Sequence, residues 1–296
     1  MKEVILQMID RFDPKTMDEY DTVLKEIIQR LCLLGLWRAR FFEHAAFYGG
    51  TALRMLYGLD RFSEDLDFSL LFPDAGFSLK PYFESLNREL KGYGFEAEIS
   101  EKEKADVSPI VTAFIKSNTR MHFIKIGVPD RLSKQVPGNR QLKVKFEVDT
   151  DPPPAFETEI KYLLQPVPFS ARVFSPPDLF AGKMHAVLCR RWQKRVKGRD
   201  WYDMVWFTRQ QIPLHIEHLA ARMRQTGDLD DQDSLTENDF QNRLIQAING
   251  LDIEAAKKDV APFLQDPSPM ELWSEEFFVA VAGMIQIRAS NSSHQY

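Results

Sequence analysis

Two short stretches decide how this sequence folds and what it can do: residues 47–53 read FYGGTAL, and residues 61–68 read RFSEDLDF. The first predicts a strand that ends at two glycines, where a short helix begins. The second predicts a strand in which Asp65 and Asp67 project from the same face. Glycines let a phosphate approach the backbone, and a helix start favours an anion. Because two adjacent carboxylates repel each other, we expect a Mg²⁺ ion between them and a triphosphate.

A third carboxylate, which a two-metal phosphoryl-transfer site usually requires, is offered by the alternating stretch QLKVKFEVD at residues 141–149. This pattern predicts a strand with Lys145, Glu147 and Asp149 on one face and apolar residues on the other. Glu147 is the favoured ligand because it lies in mid-strand. Asp149, at the strand end, remains the alternative.

Periodicity in the rest of the chain predicts an α+β N-terminal part followed by a helical C-terminal part. A capping box, Thr16 with Glu19, predicts a helix over residues 15–38. We expect two domains, 1–170 and 171–296. The other predicted helices are 51–57, 78–91, 176–193, 199–210, 214–225, 236–249, 252–262 and 272–288, and the other predicted strands are 95–99, 110–116, 121–126 and one or two within 158–174.

Composition excludes several classes of protein. The 296 residues include 38 basic and 43 acidic side chains, a net charge of −5, so the overall charge gives no support for a polybasic protein, and any nucleic-acid contact requires a local patch. Two cysteines, Cys32 and Cys189, provide no disulfide framework and suit a reducing compartment. The longest apolar run, residues 31–37, is too short to cross a membrane. We therefore expect a cytoplasmic protein with no membrane partner.

One stretch of the sequence is strongly positive, although the chain as a whole is negative. Residues 183–199 contain no acidic residue and seven basic ones: Lys183, Arg190, Arg191, Lys194, Arg195, Lys197 and Arg199. The patch has two interpretations, a groove for a nucleic-acid backbone or a solvated helix end. The six histidines have no spacing typical of a zinc site, and we expect none there.

The glycines at 49–50 with Thr51, followed by Arg61-x-Ser63-x-Asp65-x-Asp67, resemble the signature of the polymerase-β-like nucleotidyltransferases. The resemblance is closer to the AbiEii/AbiGii toxin family, which includes the MenT toxins. Residues 177–186, PDLFAGKMHA, resemble the lysine-bearing helix of that family, and residues 199–206, RDWYDMVW, resemble its Arg-Asp-x-x-Asp helix. Together these motifs organise residues 45–207, and residues 208–296 show no family pattern.

The resemblance implies a Mg²⁺-dependent nucleotidyltransferase that moves an NMP from an NTP to an acceptor, as the toxin of a toxin–antitoxin or abortive-infection system. The implied acceptor is RNA, in particular tRNA, and the implied partner is a cognate antitoxin. The implied fold is a polymerase-β-like core with a mixed sheet, and the helical C-terminal domain would complete its active site. The expected nucleotide contacts are Gly49, Gly50, Thr51, Arg61, Ser63 and Lys183; the expected metal ligands are Asp65, Asp67 and Glu147; and the expected catalytic residues are Asp65, Asp67, Glu147, Lys183 and Asp203.

Three questions remain open at this point. The first is the function: the alternatives to RNA transfer are transfer to a small molecule or a protein side chain, and nucleotide binding without catalysis. The second is whether Arg61 contacts phosphate, makes a structural contact or pairs with a neighbouring acid at the surface. Asp203, among aromatic residues, either takes part in the chemistry or holds Lys183 or Arg199.

Overall fold

The computed structural model describes residues 2–102, 108–118, 140–190 and 196–288, so the predicted strand at 121–126 lies outside the described residues. The chain divides into two compact units. The first unit comprises Met1–Gly58, Phe62–Pro152 and Ile160–Val173, and the second comprises Leu59–Arg61, Pro153–Glu159 and Phe174–Tyr296.

A seven-stranded mixed sheet organises the first unit. Its strands are β1 (Ala45–Tyr48), β2 (Asp65–Leu70), β3 (Ala97–Glu101), β4 (Ile110–Asn118), β5 (Gln141–Asp149), β6 (Thr158–Leu163) and β7 (Phe169–Phe174). Their order is β3-β4-β5-β2-β1-β7-β6. β2 runs parallel to β5, and β1 runs parallel to β7, whereas the pairs β1–β2, β3–β4 and β4–β5 are antiparallel.

The helices of the first unit within the described residues are α1 (Lys2–Asp10), α2 (Met17–Arg38), α3 (Gly49–Ala52, continued by a π turn over Leu53–Tyr57) and α4 (Phe83–Gly92). The predicted capping box starts α2: Thr16 Oγ1 accepts from Glu19 N, and Glu19 Oε2 accepts from Thr16 N, each over 3.3 Å. Such a cap stabilises a helix by about 1 kcal/mol. α2 then packs against α4 and β5, so the predicted long helix is confirmed.

The core of the first unit lies on the apolar face that the strand patterns predicted. Alternate residues of β5, from Leu142 to Val148, are buried, and Phe68 of β2 is fully buried. The Phe68 ring lies 5.2 Å from the Phe47 ring and 6.1 Å from the Phe146 ring, measured between centroids. Burial of this face leaves the polar residues of β2 and β5 on the other face.

The second unit is helical within its described residues, which confirms the predicted class of α+β followed by helices. Its helices are α5 (Pro176–Cys189), α6 (Gly198–Arg209), α7 (Ile216–Gln225), α8 (Glu237–Asn249), α9 (Ile253–Val260) and α10 (Glu275–Ala282). A short parallel pair joins β8 (Leu214–His215) to β9 (Ile287–Arg288). None of the described helices is long and apolar enough to span a membrane.

Two predicted helices are shorter than their patterns indicated. The helix predicted over 272–288 spans 275–282, because Ser274 caps its start and Gly283 ends it. The helix predicted from 214 begins at Ile216, because Leu214 and His215 pair with β9 instead. α1 was not predicted from the sequence.

One glycine controls how closely two helices of the second unit approach. At Gly198, the first residue of α6, a Cβ atom would overlap the backbone carbonyl of Ala256 in α9. The two helices pack backbone to backbone at this point, and any side chain at residue 198 would force them apart.

We therefore expect Gly198→Ala to lower the free energy of unfolding by about 3 kcal/mol, at the upper end of the usual cost of overpacking. The matched control is Gly283→Ala, where the nearest atom to a new Cβ is 3.6 Å away. Urea denaturation followed by circular dichroism measures both variants. Equal stability of the two variants would contradict the close approach.

Candidate active site

The parallel pairing of β2 with β5 brings the predicted carboxylates together in the first unit. Asp67 is the Cα partner of Glu147, and Asp65 is the partner of Lys145. Residues paired in register share a face of the sheet, as do residues two apart in one strand. Asp65, Asp67 and Glu147 therefore project from the same face, with Asp149 two residues further along β5.

The predicted phosphate loop lies directly against one of these carboxylates. Gly49 has a φ of +81°, and a Cβ there would overlap Asp67 Oδ2 and lie 3.1 Å from Asp67 Cβ. Both the backbone conformation and the space require glycine at this position. The N-cap residue of α3, Tyr48, provides no side-chain cap, and Gly50 is buried in its first turn. The structure thus brings the Gly-Gly pair and the Asp-x-Asp pair together.

Thr51, one of the predicted phosphate contacts, uses its hydroxyl inside the protein. Its side chain is fully buried, and its hydroxyl donates to the backbone carbonyl of Asp65. A hydroxyl has one hydrogen to donate, and this one is used inside the protein. Thr51 therefore attaches the start of α3 to the start of β2, which holds Gly49 and Asp67 in place.

Glu147 and Asp149, the two candidates for the third carboxylate, have different surroundings. Glu147 is half-buried, and its Oε1 lies 2.6 Å from Lys145 Nζ. Asp149 is buried, and its Oδ1 accepts from Asp151 N over 3.1 Å where the chain leaves β5. Ser63, in the loop before β2, is half-buried, and its carbonyl accepts from Gln29 Nε2 over 3.1 Å.

The remaining predicted site residues form a buried charge cluster in the second unit. Arg61 binds Asp203 through two bonds, Nε to Oδ1 over 2.6 Å and Nη2 to Oδ2 over 2.7 Å. Lys183 Nζ lies 2.7 Å from Asp203 Oδ2 and 3.2 Å from Asp200 Oδ1. Asp203 is fully buried and Arg61 is 2% exposed. Asp200 and Asp203, three apart on α6, share a face, so both reach Lys183.

The charges in this cluster are matched. Burial alone would raise the pKa of Asp203, but the positive charges of Arg61 and Lys183 outweigh it and hold that pKa below its ordinary value. Burial likewise opposes the charge of Arg61, yet Asp203 raises the Arg61 pKa. Arg61 and Asp203 are therefore both charged at neutral pH.

This arrangement changes how two predicted nucleotide contacts are interpreted. Arg61 is buried, and its Nε and Nη2 are bound to Asp203, so the structure supports the structural alternative over the phosphate contact. Lys183 Nζ has two carboxylate partners, and its role toward a nucleotide stays a prediction. Asp203 does hold Lys183, as one interpretation of the sequence proposed, but the 142-residue separation of Arg61 and Asp203 left no sequence signal for their pairing.

The basic run at 183–199 is also partly neutralised. Lys183 is paired as described, and Arg199 Nε lies 3.9 Å from Asp259 Oδ2 while its guanidinium lies 4.2 Å from the centre of the Phe263 ring. Arg190 is exposed and Lys197 is half-buried. Arg191, Lys194 and Arg195 lie outside the described residues.

We expect Asp203→Ala to lower the free energy of unfolding by about 3–5 kcal/mol, because it leaves the buried Arg61 guanidinium without its carboxylate. The matched control is Glu43→Ala, which breaks the exposed Arg40–Glu43 pair and should change stability by less than about 1 kcal/mol. Chemical denaturation of the two variants measures the difference. Comparable losses in both would show that Asp203 does not hold this cluster together.

Comparison with known proteins gives a family match over most of the chain. A family model described as the nucleotidyl transferase AbiEii toxin of a type IV toxin–antitoxin system matches residues 31–280. No curated protein matches the sequence.

Two crystal structures from Helicobacter pylori also resemble the chain. JHP933 is 18% identical, with 88% of each chain covered and a TM-score of 0.49. A candidate nucleotidyltransferase is 19% identical, with 88% of this chain and 91% of that chain covered and a TM-score of 0.47.

Proposed function

The chain belongs to the AbiEii nucleotidyltransferase toxin family and is a nucleotidyltransferase, and from this premise we propose that it transfers an NMP from an NTP to RNA in a Mg²⁺-dependent reaction. The observation that carries the proposal is the shared face of Asp65, Asp67 and Glu147 beside Gly49. The family is that of a type IV toxin–antitoxin system, so an antitoxin accompanies the toxin.

The residues of this face fit a magnesium site. The donor set consists of carboxylate oxygens, which Mg²⁺ prefers over nitrogen and sulfur ligands. Gly49 leaves space beside the Asp67 carboxylate that any other side chain would fill. Asp65, Asp67 and Glu147 would hold the ion. When bound, it supplies Lewis-acid stabilisation of the phosphate oxygens.

The side chains and backbone of the first unit then account for the transfer. The backbone N–H groups at the start of α3, from Gly49 and Gly50, would bind phosphate oxygens, because a helix start favours an anion. An acceptor hydroxyl attacks the α-phosphorus in line, so that a new P–O bond forms and the bond to the leaving pyrophosphate breaks. Glu147, next to Asp67 in register, would orient the attacking hydroxyl and accept its hydrogen bond.

RNA, and tRNA in particular, is the acceptor that the family resemblance favours. The exposed Arg190 and the half-buried Lys197 support it, since cations on a helix end can contact a phosphate backbone. Lys183 and Arg199 are paired with carboxylates, which reduces the positive charge that the run at 183–199 offers to a phosphate backbone. This favours a small-molecule acceptor as the second candidate. A cytoplasmic location is part of the proposal, because NTPs and tRNA are found there.

Asp67→Asn should reduce pyrophosphate release about 100-fold or more, because the lost charge stabilisation amounts to several kcal/mol. The matched control is Glu98→Gln, which removes an exposed carboxylate from β3 of the same sheet. Full activity in Asp67→Asn would remove this residue from the metal site.

Alanine variants of two glycines distinguish the effect of crowding at this site from the effect of backbone strain. Gly49 and Gly58 have φ values of +81° and +80°, but a Cβ at Gly58 has no atom within 4 Å. Both alanine variants therefore carry similar strain, about 1 kcal/mol, and only Gly49→Ala displaces the Asp67 carboxylate. We expect Gly49→Ala to lose transfer activity and Gly58→Ala to retain it, and equal activities would show that Gly49 is not part of the site.

Radiolabel transfer from α-labelled NTPs to purified tRNA, compared with a small-molecule and protein extract, tests the acceptor. We expect label on tRNA, with an affinity that falls by about 0.7 log units per phosphate contact for each log unit of salt. The double variant Arg190→Glu with Lys197→Glu should weaken this binding. The control, Lys80→Glu with Lys91→Glu, reverses two exposed charges of the first unit and should not. Label confined to small molecules would establish the second candidate.

A further inference from the structure

His185, Cys189 and Asp228 form a compact group of potential metal ligands in the second unit. One ligand atom from each lies within 4.8 Å of the other two, and all three residues are half-buried. His185 and Cys189 are four residues apart at the end of α5, so they share a helix face. Asp228 follows α7, directly after the turn at Gly227, whose φ is +75°.

We propose that His185, Cys189 and Asp228 bind a zinc ion, a site that the spacing of the histidines in the sequence did not predict. An imidazole nitrogen, a thiolate sulfur and a carboxylate oxygen are the ligand types that Zn²⁺ takes, whereas Mg²⁺ avoids sulfur. Tetrahedral zinc with bonds of 2.0–2.3 Å places its ligand atoms about 3.3–3.8 Å apart. Side-chain movements of about 1 Å would therefore bring the three ligand atoms to zinc-binding distance. The fourth coordination position of the ion would be left for water.

The hydroxyl of Thr226 orients two of these ligands. Thr226 Oγ1 lies 3.0 Å from His185 Nε2 and 2.6 Å from Asp228 Oδ2. Ligands held by such outer contacts are typical of zinc sites. Two other histidines of the second unit have different partners from His185. His215 Nδ1 lies 2.6 Å from Asp178 Oδ1, and His218 Nε2 accepts from Arg222 Nε over 3.1 Å.

The charges around the group determine which cation it accepts. Arg190 and Arg222 act electrostatically on His185, and Arg243 acts on Cys189, so an uncompensated cation would be repelled. The Cys189 thiol hydrogen-bonds to Asp228. When Zn²⁺ binds, the thiol proton leaves to solvent, and the thiolate and carboxylate together neutralise the ion. The loaded group of ion, thiolate and carboxylate carries no net charge beside the arginines.

Such an ion would join the end of α5 to the turn after α7. Both elements belong to the second unit, and α5 also carries Lys183, two residues before His185. The bound metal would thus brace this helix. The inference does not depend on the proposed magnesium site or on the acceptor.

Cobalt titration of the metal-free full chain tests this site, because a thiolate bound to Co²⁺ gives a charge-transfer absorption that oxygen-only sites lack. We expect one equivalent of Co²⁺ to give this absorption, Zn²⁺ to displace it, and Cys189→Ser to abolish it. The matched control is Cys32→Ala, since Cys32 is the other cysteine and is fully buried. His185→Gln should weaken Co²⁺ binding at least about tenfold, because even outer contacts contribute that much.

Two results would overturn the zinc site: no sulfur absorption in the wild type, or absorption that persists in Cys189→Ser. Circular dichroism shows whether each variant is folded. If Cys189→Ser fails to fold, Asp228→Asn replaces it, and unchanged Co²⁺ affinity in that variant also overturns the site. Because Asp65 and Asp67 bind through oxygen, failure at this site and failure of the magnesium site give different results.

Discussion

Repulsion between like charges on one face of β2 and β5 is the constraint on which this structure depends. Asp67 and Glu147 are register partners, Asp65 lies two residues before Asp67 on β2, and Lys145 forms an ion pair with Glu147. The buried aromatic residues of the opposite face fix both strands, so the carboxylates cannot move apart without disrupting the core. In the proposed function a divalent cation would lower this repulsion, and nucleotidyl transfer is the chemistry that would use it.

Much of this face was predictable because its signals are local. Alternation at residues 141–149 and the Asp-x-Asp spacing depend only on the two-residue period of a strand, and both strands were confirmed. The parallel register of β2 with β5 was not predictable, since about 80 residues separate the partners. The overlap that requires glycine at position 49 follows from that tertiary arrangement, although the Gly-Gly pair itself indicated a turn.

The buried ion pairs of the second unit could not be predicted from sequence patterns. Arg61 precedes the Asp-x-Asp motif by four residues, and its sequence context left a phosphate contact, a structural contact and a surface pair open. Its partner, Asp203, is 142 residues away, and ion pairs have no period that reveals such a partner. The bond of Thr51 was not predictable for a similar reason: a hydroxyl at a helix start suits a phosphate, and only the fold shows that this one donates to the backbone carbonyl of Asp65.

The most direct test of the cation account is the stability of wild type and Asp67→Asn, measured by chemical denaturation with and without Mg²⁺. Without metal, the variant should be at least as stable as wild type, because it has one fewer like charge on the shared face. With Mg²⁺, wild type should gain stability as the ion binds the folded state, and the variant should gain little. A metal-free variant less stable than wild type, together with a wild type unaffected by Mg²⁺, would contradict the account.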